Sequence, residues 1–276
     1  MSQFPIIGKS ELHLIQALFA CAAALLLSVP TVHATAIVAS RSPTLILIGA
    51  DSKAIRGGDT SDAMFVCKIE QVGRFYYDAA GLTDNPFVNY TLSTIVEEAF
   101  RGGKTHTDKI NRFEQLVQIP LSRALEYIRR DNPKFFEDYF DRGDKVALEV
   151  VFAGVVDGEP SFWTLSFTME HVNPISVSST HRSSCPGDCP TGYYTYFIGS
   201  KQTMANYALM NPQIREAEPV SAINTLIQVQ ANSTPNKVGG PIDILFITKD
   251  RAQWIQKQAA CGELNKGKSP VKESIR

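Results

Sequence analysis

The chain has almost no net charge: 27 lysines and arginines face 28 aspartates and glutamates, a formal net of −1 over 276 residues. No basic surplus is present to neutralise a phosphate backbone, and no lysine–arginine cluster to hold an anionic membrane surface. A nucleic-acid partner is therefore not expected. Cysteine is scarce as well, with five in all. His181, Cys185 and Cys189 have the spacing of a metal-binding loop but lack a fourth ligand, and nothing in the chain calls for a cofactor. Long apolar runs are missing too, apart from one near the start.

That run is residues 12–29, after a short opening that carries Lys9. Pro30 breaks it, and Val32-His33-Ala34 places small residues where a signal peptidase reads. Cleavage after Ala34 is expected, making residues 1–34 a signal peptide. A transmembrane anchor is the alternative, though the run is slightly short for a span. A lipoprotein site at Cys21 fits less well, since Phe19 is bulky where a small residue is preferred. Export would leave four cysteines, Cys67, Cys185, Cys189 and Cys261, in an oxidising compartment. Cys185-Pro-Gly-Asp-Cys189 is the favoured disulfide pair, with free thiols and metal binding as alternatives. Cys67 and Cys261 are left unassigned.

Cleavage after Ala34 would make Thr35 the first residue. A threonine hydroxyl beside its own free α-amine is a nucleophile with a built-in base. The remaining length suits one core, expected as one domain over 35–260, followed by a polar, lysine-rich flexible tail over 261–276.

Two β-rich runs, 35–41 and 44–50, flank Ser42-Pro43 as a hairpin. Their near-continuous apolar content predicts strands covered on both faces. A second hairpin is expected over 64–72 and 75–81. Asn85-Pro86 should open a helix closed by Gly102-Gly103. A longer helix should cover 107–130, with Pro120 inside it. Strands follow at 145–154 and 161–168, and residues 173–192, rich in Ser, Pro, Gly and Cys, read as a long loop. A short strand over 193–198, helices over 201–210 and 219–231, and a last strand over 241–248 complete the chain. Two helix pairs on opposite sides of stacked sheets would account for this order: an α+β fold, a four-layer αββα sandwich.

Three further segments bear on Thr35. Asp51 ends the first hairpin in Gly49-Ala-Asp-Ser52, Lys68 lies in Cys67-Lys-Ile69, and Ala80-Gly-Leu82 ends a later strand. This ordered set resembles the β-type subunits of the proteasome and related bacterial threonine proteases, which are N-terminal-nucleophile hydrolases. The resemblance covers most of 35–248, with a weaker echo in Phe197-Ile-Gly-Ser200 and in Gly239-Gly240. It implies Thr35 as nucleophile, Lys68 as its charged neighbour and Asp51 as partner of Lys68. Ser200 would sit near the amine, and the Gly81 amide would line the oxyanion hole. An α-amine titrates near ~8 and a lysine near ~10.4. A cationic Lys68 therefore disfavours a second positive charge on the amine, making it a better base.

The chain departs from the family pattern near its end. No acidic residue precedes Gly239-Gly240, and Val238 stands where a serine is usual. No glycine precedes Thr35, so processing is expected from a signal peptidase rather than from the chain itself. The leading expectation is an exported threonine hydrolase acting on a peptide or a small amide, with a homo-oligomer possible. The alternative is a catalytically inactive scaffold for binding or assembly.

Overall fold

The computed structural model describes residues 31–33, 35–56, 59–141, 145–189 and 192–264, with the backbone alone at 31–33, 56 and 59–62. The apolar run, Ala34, Gly57-Gly58 and residues 265–276 lie outside these, and with them the expected cleavage site and most of the expected tail. Fourteen strands form two antiparallel sheets among the described residues.

The five-stranded sheet runs β12 (Tyr194–Gly199), β2 (Ala36–Ser42), β3 (Leu45–Asp51), β13 (Ile242–Thr248) and β14 (Ala252–Gln256). The larger sheet follows β11 (Ile175–Cys185), β10 (Glu159–Val172), β9 (Val146–Val156), β7 (Phe75–Asn85), β1 (Thr31–His33), β4 (Lys53–Arg56) and β5 (Asp59–Phe65). Two short strands, β6 (Glu70–Val72) and β8 (Tyr90–Thr91), also pair with β7. The helices are α1 (Leu92–Gly102), α2 (His106–Asp131), α3 (Pro133–Phe136), α4 (Gln202–Met210) and α5 (Pro219–Ser233). This is a mixed α+β fold. No helix among the described residues is long and apolar enough to cross a membrane.

Strand alternation explains why β2 and β3 are apolar at nearly every position. Ile37, Ala39, Ile46 and Ile48 face the larger sheet, in a cluster with Tyr76, Ala80, Val151 and Phe162. Ala36, Val38 and Leu47 point the other way, onto Met204 of α4 and Ile223 and Ile227 of α5. Successive side chains on a strand leave by opposite faces, so a strand buried on both must be apolar throughout. In the larger sheet, Phe75, Tyr77 and Ala79 pack under α1 and α2.

The α2 start carries a capping box: Asp108 N–H donates to Thr105 Oγ1, and Thr105 N–H to an Asp108 carboxylate oxygen, each at 3.1 Å. The helix continues through Pro120, which removes one backbone donor. Burial of Val117, Leu121, Ala124, Leu125 and Ile128 against the sheet holds it together.

Four expectations are corrected. The stretch read as a loop over 173–192 holds β11, which pairs with β10 from Val172↔Ile175 to Phe162↔Cys185. Its inner residues Ile175 and Val177 are buried while His181 and Arg182 are exposed, so polar content misled the reading. Asn85-Pro86 opens only a short 3-10 turn, Pro86–Val88, and α1 starts at Leu92 after β8. Residues 66–69, expected in a hairpin strand, form no regular structure, so Lys68 sits in a connection. The tail is held longer than expected, because Cys261 is 3% exposed and bonded to Cys67, with Cα atoms 4.8 Å apart. The expected Cys185–Cys189 pair is also formed.

Phe152 lies at the middle of the helix-covered core, ringed by Tyr77, Phe100 and Phe113 with centroids 5.9, 5.2 and 5.0 Å away. Replacing it by alanine should lower stability by about 3–5 kcal/mol, the range for emptying a buried aromatic site. Urea denaturation with disulfides intact measures this; a loss under about 1 kcal/mol would show that the core refills the space.

Candidate active site

Thr35 stands at the crossing between the two sheets, after β1 of the larger and before β2 of the smaller. It is fully buried, and its Oγ1 has no hydrogen-bond partner among the described residues. Its carbonyl accepts the Ser200 N–H at 2.8 Å.

Asp51, at the end of β3, organises the surroundings. Its Oδ1 accepts the Ala36 N–H at 2.8 Å and the Lys68 ammonium at 3.1 Å. Its Oδ2 accepts the N–H groups of Gly239 at 3.0 Å and Lys53 at 3.2 Å. One carboxylate oxygen therefore joins Lys68 to the residue that follows Thr35. Both Asp51 and Lys68 side chains are wholly buried.

Burial draws the Lys68 ammonium below its ordinary range, opposed by the nearby Asp51, Asp78 and Asp243 carboxylates. Asp78, on β7, is fully buried and pushed up to about 8 by desolvation, which outweighs the pull of Lys68 and the Ala79 N–H. Its Oδ1 accepts that N–H at 2.7 Å, while its Oδ2 has no partner among the described residues. Burial likewise raises Asp243 on β13, which accepts the Gln258 N–H at 2.7 Å and the Gln258 side-chain amide at 3.0 Å. The site thus sets one buried ammonium among three acids.

Ser200 reaches Thr35 through its backbone, and Gly199 shows why a glycine precedes it. A Cβ there would fall 2.1 Å from the Thr35 carbonyl oxygen. Glu149 of β9 holds this turn, accepting the Gly199 N–H at 2.8 Å and pairing with Lys201 at 2.7 Å. Gly81 has φ +108°, and a Cβ would meet the Ala147 carbonyl oxygen at 2.3 Å. It lies in register with His33 of β1. Asp51 thus links Lys68 to the amide next to Thr35, the Ser200 N–H meets the Thr35 carbonyl, and Gly81 lies on the strand beside β1.

Asp78, Glu149 and Asp243 were not singled out from sequence, and Gly239 was noted only within the Gly239-Gly240 pair, without its bond to Asp51. The legible signal is the same for the three acids: each stands alone inside an apolar strand, as in Tyr77-Asp78-Ala79, Leu148-Glu149-Val150 and Ile242-Asp243-Ile244. Such an acid is rarely buried without a partner. Val238, where the family usually has serine, is buried among Val38, Ile244 and α5 residues. Cys67, Cys261 and Asp243 bring possible ligand atoms within 4.8 Å of one another. The disulfide between the two cysteines removes the thiolates a metal would need.

No protein-family model matches the chain, and no curated protein matches it. Among solved structures it is similar to the Gly-1 mutant of Anbu from Hyphomicrobium sp. strain MC1. The identity is 16%, covering 80% of this chain and 87% of that one, with a TM-score of 0.45.

Asp51→Ala should cost about 3–5 kcal/mol, because it strands the buried Lys68 charge. Asp51→Ala with Lys68→Met should recover a large part of that loss, which urea denaturation reads; a double variant no better than the single one refutes the pairing. Asp78 gives a pH signature. Its folded value, raised to about 8 from 3.8, means the unfolded chain releases this proton first as pH rises. The group's contribution to stability therefore falls through that window and levels off above it. Asp78→Asn does not titrate, so its melting temperature should gain on the parent's from mildly acidic to mildly alkaline pH. A difference that stays flat with pH refutes the raised value.

Proposed function

We propose that this protein is an exported N-terminal-threonine hydrolase that cleaves amide bonds, with peptides as substrates. The observation that carries the reading is the shared Asp51 Oδ1, which holds Lys68 and the backbone next to a buried, unpartnered Thr35 hydroxyl. Three core clusters support the four-layer αββα arrangement: one under α1 and α2, one between the sheets, and one under α4 and α5. Two disulfide-bonded cysteine pairs are in keeping with an oxidising compartment.

In this reading, signal peptidase cuts after Ala34 and frees the Thr35 α-amine. The amine takes the Oγ proton as the oxygen attacks the substrate carbonyl carbon. The proton then passes to the leaving amine as the C–N bond breaks, leaving an acyl-threonine ester. Water attacks the ester with the same amine as base, and the acid product leaves with Thr35 restored. Lys68 favours the neutral amine by like-charge repulsion. A backbone N–H at Gly81, aimed at the developing oxyanion, supplies a contribution of order 3 kcal/mol.

The position of β1 adds to this reading. Thr31 and Val32 pair with Arg56 and Ile55 of β4, while Val32 and His33 pair with Leu82 and Gly81 of β7. Removing this segment would free two strand edges beside Thr35, a slot for an extended peptide held by main-chain hydrogen bonds. A second reading, a scaffold without activity, is favoured by Val238, whose apolar packing supplies no hydroxyl near Asp51.

Protein recovered from the secreted fraction should begin at Thr35 by intact mass. Thr35→Ala, produced with the same start, should abolish amide hydrolysis and labelling by a threonine-directed electrophile. Thr35→Ser should retain part of both. A mature start ahead of Thr35, or turnover by Thr35→Ala equal to the parent's, would overturn the assignment. A parent that neither turns over nor labels leaves the scaffold reading.

A further inference from the structure

A cavity of about 230 Å³ opens beside Lys68, between β7 and the start of α1. Tyr77, Ala79 and Thr83 of β7 line it. Tyr77 and Ala79 share one strand face, and Thr83 joins the lining beyond Gly81, where φ is +108°. A chain laid along β7 in the place of β1 would send every second side chain to that same face.

The lining is acidic. Glu70 and Asp84 both border the cavity, and Lys68 is the one cation among its lining residues. That ammonium is committed to Asp51 at 3.1 Å and is wholly buried. The Tyr77 hydroxyl donates to a Glu70 carboxylate oxygen, and the Thr91 hydroxyl donates to Asp84 Oδ1 at 2.8 Å. Both contacts orient carboxylates without neutralising them. Glu70 is raised by desolvation and, to a smaller extent, by the neighbouring Glu97, so the pocket carries an electrostatic cost that a cation would relieve. An apolar side chain would leave both carboxylates uncompensated, and an acidic one would add repulsion.

We infer that this pocket receives the cationic side chain of a lysine or arginine on the acyl side of the scissile bond, with Glu70 and Asp84 as its specificity residues. The inference rests on the hydrolase reading for the word scissile, but the pocket's preference for a cation stands on its own lining.

The test uses protein beginning at Thr35 and a series of peptide amides that differ only in the acyl-side residue: arginine, lysine, leucine or glutamate. Charge-assisted contacts predict a kcat/KM for arginine and lysine roughly tenfold to a hundredfold above leucine, with glutamate lowest. Glu70→Gln and Asp84→Asn should each reduce the arginine-to-leucine ratio by about tenfold. A purely structural role for either residue would lower all four substrates alike and leave that ratio unmoved, which overturns its assignment. Calorimetric binding of the arginine and leucine peptides to Thr35→Ala separates this inference from the hydrolase reading. Turnover of leucine amides as fast as arginine amides overturns the pocket assignment and leaves the hydrolase intact. Absent turnover, tighter arginine binding that is lost in Asp84→Asn sustains the pocket and removes the hydrolase. Equal binding of the two peptides to Thr35→Ala overturns the pocket assignment.

Discussion

A single buried carboxylate holds this structure's centre. Asp51 accepts four hydrogen bonds, from Ala36, Lys53, Lys68 and Gly239. These donors belong to the first strand of one sheet, the first residue of β4, an irregular connection and the turn before β13. No apolar contact could fix those four segments relative to one another with the same directionality, since burial is non-directional and hydrogen bonds are not. Lys68 lies in no strand; the ion pair with Asp51 fixes its ammonium, while the Cys67–Cys261 bond and the buried Ile69 hold the connection on either side. Taking both charges from water is costly and repaid only when geometry and extra hydrogen bonds are good. The amides on Asp51 supply those extra bonds.

The surplus of acid around Lys68 has two consequences. Asp51 and Lys68 balance each other, so Asp78 and Asp243 are left to meet desolvation largely through protonation or amide donors. Beyond them, Glu70 and Asp84 extend the acidic character into the cavity next to the strand slot. In the proposed hydrolase the two divide the labour: the buried ammonium would act on the amine of Thr35, and the carboxylates lining the cavity on the side chain that enters it. The Cys67–Cys261 bond closes the back of this region. It joins the residue before Lys68 to the end of the chain that carries Gln258, whose side chain donates to Val66 and Asp243.

Much of the architecture was legible because both faces of β2, β3 and β9 are covered, and such strands write themselves as unbroken apolar runs. The α2 stripe was legible for a similar reason, its apolar spacing matching the helical period. Strand β11 was not, because it lies at the edge of the sheet and its outer face is solvated. Ser178, Thr180 and His181 are ordinary for such a face but read locally as loop. The start of α1 was misplaced because Asn85-Pro86 is a good helix opening that here closes only one turn before β8 intervenes.

Residue identity and order by themselves determined the candidate nucleophile, its acid and its lysine, since each stands in a recognisable local string and the strings come in a telling order. They also favoured the Cys185–Cys189 bond, the two being separated by a single turn, and the structure forms it. Tertiary structure alone decided that Cys67 meets Cys261 across 194 residues, and that Gly239 donates to Asp51. It alone also showed that Asp78 shares the buried site with Lys68 and that Glu70 and Asp84 face one cavity. The physical reason is common to all four: local patterns report which face of a strand is covered, but not which distant segment covers it. The cost of a buried charge depends entirely on that distant neighbour.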